Sequence, residues 1–531
     1  MMGGICSRKR EQLVIEDGGC RAVSERFCRI ASSKWLGNSF SRPIVDCQPG
    51  RDKCPSLMDL CIYKIREDID KYSSFSILPR DISQQIFNEL IHSRCLTDVS
   101  LKAFRDCALQ DVFLGEYPGV KDSWMDFISS QGLSNLTSLS FKKCDAITAE
   151  GMRAFSNLIN LEKLDLERCS GIHGGFFHLK GLLKLKSLNI GCCKCVSDLD
   201  LKAISGITSL KELQAFSINI TDIGVSYLKG LHNLTMLNLE GCSITNACLE
   251  SISALVALAI LNLNRCSLND DGWEKFSGNK NLKVLSLGFN NITDACLVHL
   301  KGLTNLESLN LDSCGIGDEG LANLTGLTLL KTLELSDTEV ASNGLRHLSG
   351  LTNLENLNLS FTLVNDSSLK KLSGLTSLKS LNLDARQITD AGLAALTSLT
   401  GLTHLDLFGA LISDSGTKCL QYFKNLQSLE ICGGGLTDAG VKNIKDLASL
   451  RLLNLSQNCN LTDKTLELAS GLTALVSLNV SNSCITREGL QYLKPLKNLR
   501  SLSLESCKVT ASDIKNLQSD ALPNLISFRP E

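Results

Sequence analysis

Cys192-Cys193-Lys194-Cys195 contains a C-x-x-C spacing. Two thiolates at that spacing form half of a tetrahedral zinc site or a redox dithiol. Cys169 precedes Cys193 and could approach it, but no second well-spaced pair completes a zinc site. The seven histidines, at 92, 173, 178, 232, 299, 347 and 404, are scattered through the chain. His299 and His347 recur at equivalent places and read as surface residues. The sequence holds no G-x-x-x-x-G-K-[ST] phosphate loop, no H-E-x-x-H and no G-x-S-x-G. No catalytic residue, metal or cofactor is expected from this inventory.

The N-terminus offers a different chemistry. If translation begins at Met2, "MGGICS" matches an acylation signal, with Gly3 as the myristoylated residue and Ser7 in place. Cys6 is then a palmitoylation candidate, and Arg8-Lys9-Arg10 favours anionic lipid. One acyl chain holds weakly, so peripheral membrane association would need the combination. Residues 1–55 carry ten Arg or Lys against six acids and no clear periodicity, which reads as a disordered basic tail. The whole chain of 531 residues has a formal charge of −2, which gives no argument for nucleic-acid binding. No apolar run is long enough to span a bilayer, and the N-terminus lacks the apolar stretch of a secretory signal. The 23 cysteines are therefore read as reduced thiols of a cytoplasmic or nuclear protein, with the plasma membrane as a further location if Gly3 is acylated.

The elements that would position any site come from one recurring pattern, L-x-x-L-x-L. Its first leucines fall at 136, 161, 185 and 210, then every 24 residues from 234 to 450, then at 475 and 499, giving sixteen copies. "LQDVFL" at Leu109 and "LPNLISF" near Leu525 read as terminal caps. The second and third apolar residues are two apart and share one face of a short strand. A single such strand cannot bury that face, whereas stacked copies can. After each strand comes "ITDAGLAAL" (388–396) or a variant. Either Thr389 or Asp390 suits the cap of a helix there, and Leu393 and Leu396 should point inward.

This period and pattern resemble leucine-rich repeats. The resemblance implies an α/β solenoid over 108–531, with a curved parallel sheet inside and helices outside. Seven copies carry Cys where many such repeats carry Asn: Cys144, Cys169, Cys193, Cys242, Cys266, Cys314 and Cys507. Thr338, Thr362 and Asn290 occupy the same place in others. This resembles the cysteine-containing class of intracellular F-box and related ubiquitin-ligase receptors, of the plant F-box type.

Residues 56–107 do not share the pattern and read as a small N-terminal helical region. Leu57, Cys61, Ile65 and Ile69 lie four apart, and Leu78-Pro79, Ile82 and Ile86 follow. The pair resembles the elongin-binding and cullin boxes of SOCS-box and von Hippel-Lindau-type receptors. That resemblance implies that Leu57 and Cys61 enter an elongin C-like adaptor, with a cullin on the second helix. The stretch from Leu78 through Ile86-Phe87 to Phe104 also resembles a degenerate F-box, which implies a Skp1-like adaptor. The plainer alternative is that both helices only cap the array.

On the concave face, acids dominate from Leu306 onward: Asp312, Glu334, Asp337, Asp384, Asp406, Glu430 and Glu505. Phe289, Phe361 and Phe408 are expected to be exposed there. Aromatics beside charge of one sign suit a protein interface with a basic segment. Two functions follow as expectations. One is a substrate-recognition subunit of a cullin-type ubiquitin ligase, a monomer within its complex, binding a protein substrate on the concave face. The other is a non-ligase scaffold for signalling proteins, tethered through its N-terminus. Tag-free protein started at Met2 should carry the mass of a myristoyl group on its N-terminal peptide, and Gly3→Ala should remove that mass and release the membrane-bound fraction. An unmodified wild-type peptide rules the tether out.

Overall fold

The computed structural model describes residues 55–384 and 387–529, and the acylation candidates Gly3 and Cys6 lie outside them. The chain divides into units of residues 1–58 and 59–531. Among the described residues, eighteen three-residue strands run from Asp111–Phe113 to Ser527–Arg529. Each pairs in parallel with the next in sequence, so the sheet is never closed. Register follows the period: Leu309, Leu333, Leu357 and Leu381 stand opposite one another. The sixteen L-x-x-L-x-L segments, and the segments at Leu109 and Leu525, each carry one strand. The leucines that flank and centre the strands fill one continuous core, Leu354, Leu357 and Leu359 among them at 0% exposure. Leu393 and Leu396 are equally buried. The fold is the α/β solenoid that the periodicity implies.

The turn after each strand shows why Cys and Asn alternate there. The Sγ–H of Cys169 donates to Phe141 O at 3.2 Å, and that of Cys193 to Leu166 O at 3.0 Å. Asn290 Nδ2 donates to Leu263 O at 2.9 Å. Each side chain thus satisfies a carbonyl of the preceding repeat. Thr338 and Thr362 cannot reach so far and bond within their own turns, to Leu335 O and Leu359 O at 2.6 Å. Burial pushes the Cys144, Cys193 and Cys266 thiols up to about 12, which keeps the donor hydrogen in place.

On the outer side, the Thr and Asp of "ITDAG" divide two jobs. Thr389 Oγ1 accepts from Ala391 N and caps its own helix, Asp390–Ala395. Asp390 instead reaches the next repeat: its carboxylate accepts from Ser413 N at 2.8 Å and from Ser413 Oγ at 2.5 Å. Asp366 binds Thr389 in the same way. The glycine that follows is required by this contact. A Cβ on Gly392 would sit 2.4 Å from Asp366 Oδ1.

The first strand's free edge is covered. Gln84, on the helix Arg80–His92, donates from Nε2 to Asp111 O at 2.7 Å, and its Oε1 accepts from Gln110 N and Asp111 N. Phe87 on the same helix packs its ring against Phe104 and Phe127, at 5.1 and 6.0 Å between centroids. At the other end, Thr510 caps the helix Ala511–Asp520, which buries Ile514 and Leu517. Gly392→Ala should destabilise the array by about 1–3 kcal/mol, the range for an overpacked site. Asp366→Ala should cost a similar amount through its lost bonds to Thr389, and the double substitution should cost less than the sum. Urea unfolding of the four proteins measures the coupling; strict additivity would mean that Gly392 is not there to admit Asp366.

Candidate functional site

Two surfaces hold the residues singled out by the sequence. The first is the helix Leu57–Glu67. A spacing of four drifts by about 40° per step on a helix, and burial increases along it from exposed Leu57 to half-buried Ile65. Ile62 is buried at 6% exposure, Ile65 is half-buried, and Ile69 beyond the helix is buried at 8%. Arg66 ties this side to Glu89 of the helix Arg80–His92, at 2.7 Å. The opposite side is open: Leu57 is 78% and Leu60 48% exposed, and Cys61 is exposed. Leu60 escaped the box spacing, although its offset of three from Leu57 signals the same face.

The two boxes differ in access. Ile86 and Phe87 are at 1% and 0% exposure, inside the packing of the second helix. Leu78 and Ile82 are half-buried and Pro79 is exposed just ahead of that helix.

The second surface is the concave face. Its central column runs in register through Asn310, Glu334, Asn358, Asn382, Asp406, Glu430 and Asn454. Where Asn stands, one pattern recurs. Asn382 Oδ1 accepts from Asp384 N at 2.9 Å, and Asn454 Oδ1 from Ser456 N at 3.2 Å. The amide nitrogen is left to donate sideways, as Asn454 Nδ2 does to Glu430 Oε2 at 2.8 Å.

Asp406 keeps half of this pattern. Its Oδ1 accepts from Phe408 N at 2.9 Å, but its Oδ2 is buried without a hydrogen-bond partner. An acceptor stands where Asn supplies a donor, and a proton on the carboxyl resolves the conflict. Burial first, then the charges of Glu430 and Asp384, push Asp406 up to about 8. Burial likewise raises Glu334 to about 7, with Asp312 adding to the shift against a hydrogen bond from Asn358. Burial also raises Asp312, opposed by hydroxyl donors from Ser336 at 2.7 Å and Ser313 at 3.0 Å.

The acids form two groups rather than one row. Asp312, Glu334 and Asp337 lie together, with Ser313 Oγ joining Asp337 at 3.1 Å. Asp384, Asp406 and Glu430 lie together on the strands Ser380–Asn382, His404–Asp406 and Ser428–Glu430 and the turn after the first. The strand Asn356–Asn358 separates the groups, and Phe361 follows it. Phe361 is 57% exposed and holds a left-handed backbone at φ +55°. That backbone recurs at the equivalent turn position of most repeats, at Arg265, Ser313 and Asp337 among others, so it is the exposed ring that sets Phe361 apart. Phe289 is also left-handed and 40% exposed, but the Arg265 guanidinium covers its ring at 3.8 Å. Phe408 is half-buried, and Asp337 is exposed.

The profile of the leucine-rich repeat region matches residues 263–531, and a leucine-rich repeat profile matches 132–156. No curated protein sequence matches the chain. Among solved structures, an internalin of Listeria monocytogenes is 26% identical, covering 63% of this chain and 88% of that one at a TM-score of 0.48. A leucine-rich-repeat protein of Leptospira interrogans is 20% identical over 88% of this chain and 97% of its own, at 0.43. The ectodomain of the Arabidopsis thaliana receptor kinase GASSHO1/SCHENGEN3, in complex with Casparian strip integrity factor 2, is 15% identical over 82% and 62%, at 0.38.

The native protein keeps the Asp406 proton at pH values where an unfolded aspartate, with its ordinary pKa of about 4, has lost it. Stability should therefore fall as pH rises between about 4 and 8. Asp406→Asn removes that slope. The variant should match wild type near pH 4 and exceed it at pH 8 by about 1–3 kcal/mol, the cost of a buried unsatisfied group. Urea titrations at several pH values check this; parallel curves for the two proteins would refute the protonated state.

Proposed function

Because this chain belongs to the leucine-rich-repeat family, we propose that it is a protein-recognition subunit whose solenoid holds a protein on its concave face. In this reading the N-terminal helix docks on the adaptor of a cullin-type ubiquitin ligase, and the held protein is the substrate. The observation that carries it is the exposed apolar side of the helix Leu57–Glu67. A helix that served only as a cap would turn its large apolar residues inward. Here Ile62 and Ile69 already serve the packing, and Leu60 and Cys61 are left over. Exposed leucines on a helix are the anchors that a partner pocket buries.

Exposure also favours one of the two adaptors. An F-box contact would need Ile86 and Phe87 at the surface, and both are enclosed. An elongin C-like adaptor needs Leu57 and Cys61, and both are open. On the concave face, Phe361 between the two acidic groups is the natural anchor for the held protein. Asp337, Asp384 and Glu430 would receive its basic residues.

Purified protein should capture an elongin B–elongin C complex, and Leu57→Ala with Cys61→Ala should weaken that capture by about tenfold or more, as loss of buried anchors does. Neither change touches the array, so circular dichroism should be unaltered. Capture of Skp1 instead, or elongin capture indifferent to both changes, would overturn the assignment.

A further inference from the structure

The residue after the first leucine of each repeat forms a row of charges at the entry to the strands. From Lys283 to Lys379 every cation in this row is answered across one strand, while Lys211, earlier in the row, makes no ion pair among the described residues. Lys283 and Lys331 both bridge to Glu307, at 3.2 and 2.7 Å. Lys379 bridges to Glu355 at 2.8 Å, and earlier Lys186 to Glu162 at 2.7 Å. Toward the C-terminus the row becomes Thr403, Gln427, Arg451, Val476 and Arg500. Arg451 and Arg500 are exposed, and neither makes an ion pair among the described residues. The acid that elsewhere separates two cations is replaced by Val476.

These two arginines line a cavity of about 570 Å³. Ser449 and Asn498 belong to the same wall, two residues ahead of Arg451 and Arg500, and Gln427 closes one end. All of its polar groups are neutral or cationic. Ala474 and Val476 lie between the arginines in sequence and bring nothing that competes for them. The cavity therefore has the composition of an anion site, and no carboxylate among the described residues lines it.

We propose that this cavity binds a phosphate monoester carried by a phosphorylated serine or threonine of a protein segment. The two arginines stand two inter-strand steps apart, about 10 Å between backbones. Their side chains are long enough to converge on one tetrahedral group from both sides. A guanidinium offers a planar fork to a pair of phosphate oxygens, and a phosphate ester has three oxygens and a charge of about −1.5 to −2. Two cations meet that charge. A carboxylate, with one charge and two oxygens, would leave one fork unmatched. A nucleic-acid backbone needs a longer basic track, and the row on the near side continues as Gln427 and Thr403. The site opens at the ends of the strands Leu452–Asn454, Ser477–Asn479 and Ser501–Ser503. Residues flanking the phosphate would run onto the sheet, and that favours a chain segment over a free ion.

The test is fluorescence anisotropy with the full chain, at low ionic strength because exposed charges are screened. The probe is a labelled nonapeptide with one phosphoserine among neutral residues, set beside its unphosphorylated form. Wild type should bind the phosphopeptide at least tenfold more tightly. Arg451→Ala and Arg500→Ala should each weaken it about tenfold, and the double variant should not distinguish the two peptides. Arg451→Lys should recover part of the loss, and Lys283→Ala should change nothing. Circular dichroism reports folding, which exposed substitutions should leave intact. Equal affinity for the two peptides, or full affinity in the double variant, overturns the site. Inorganic phosphate binding as tightly as the phosphopeptide overturns its assignment to a protein segment.

Discussion

A solenoid of strands only three residues long has little to fix the angle between one coil and the next. The parallel ladder sets the spacing on the inner side, at roughly 4.8 Å per strand. It does not set the spacing outside, where the helical segments need more room. Here that second constraint is a carboxylate. Asp366, Asp390, Asp414 and Asp463 each accept both the amide and the hydroxyl of the Thr or Ser that opens the next coil. The inner ladder and this outer clasp act on the same pair of neighbours at opposite ends. Together they determine curvature, and the leucine core fills the wedge between them. Where Gly317 or Ala341 replaces the hydroxyl residue, the amide bond to Asp294 or Asp318 remains.

The leucine ladder was legible in the sequence because each copy states the rule again and parity alone assigns the buried side. The clasp was not. Local capping rules make Thr389 and Asp390 interchangeable candidates, and only a contact 23 residues away separates them. The concave acids show the same limit. Alternation places Asp406 on the concave face of the sheet, away from the leucine core, yet it is covered to 4% exposure. Counting charge along the sequence therefore overstates the charge that this face presents near neutral pH. The N-terminal helix departs from the spacing argument because it ends at Glu67, before Ile69, and its four-residue steps drift around the axis.

The concave face that results is two acidic groups with an aromatic between them. Glu334 and Asp406 contribute shape and hydrogen bonding more than charge, because burial favours their neutral forms. Asp337, Asp384 and Glu430 are nearer to solvent. Charge near solvent and buried hydrogen bonding are thus carried by different residues of the same face.

The turn cysteines have a consequence for chemistry in solution. A thiol that donates to the preceding coil and is held far above its ordinary pKa is not a nucleophile while the coils remain stacked. Cys61, Cys459 and Cys484 are exposed and open to alkylation. Parting two coils joined by such a cysteine breaks its buried Sγ–H bond and returns that sulfur to water. The protein thus contains a graduated set of reporters along its axis, in which the order of alkylation would trace which coils open first.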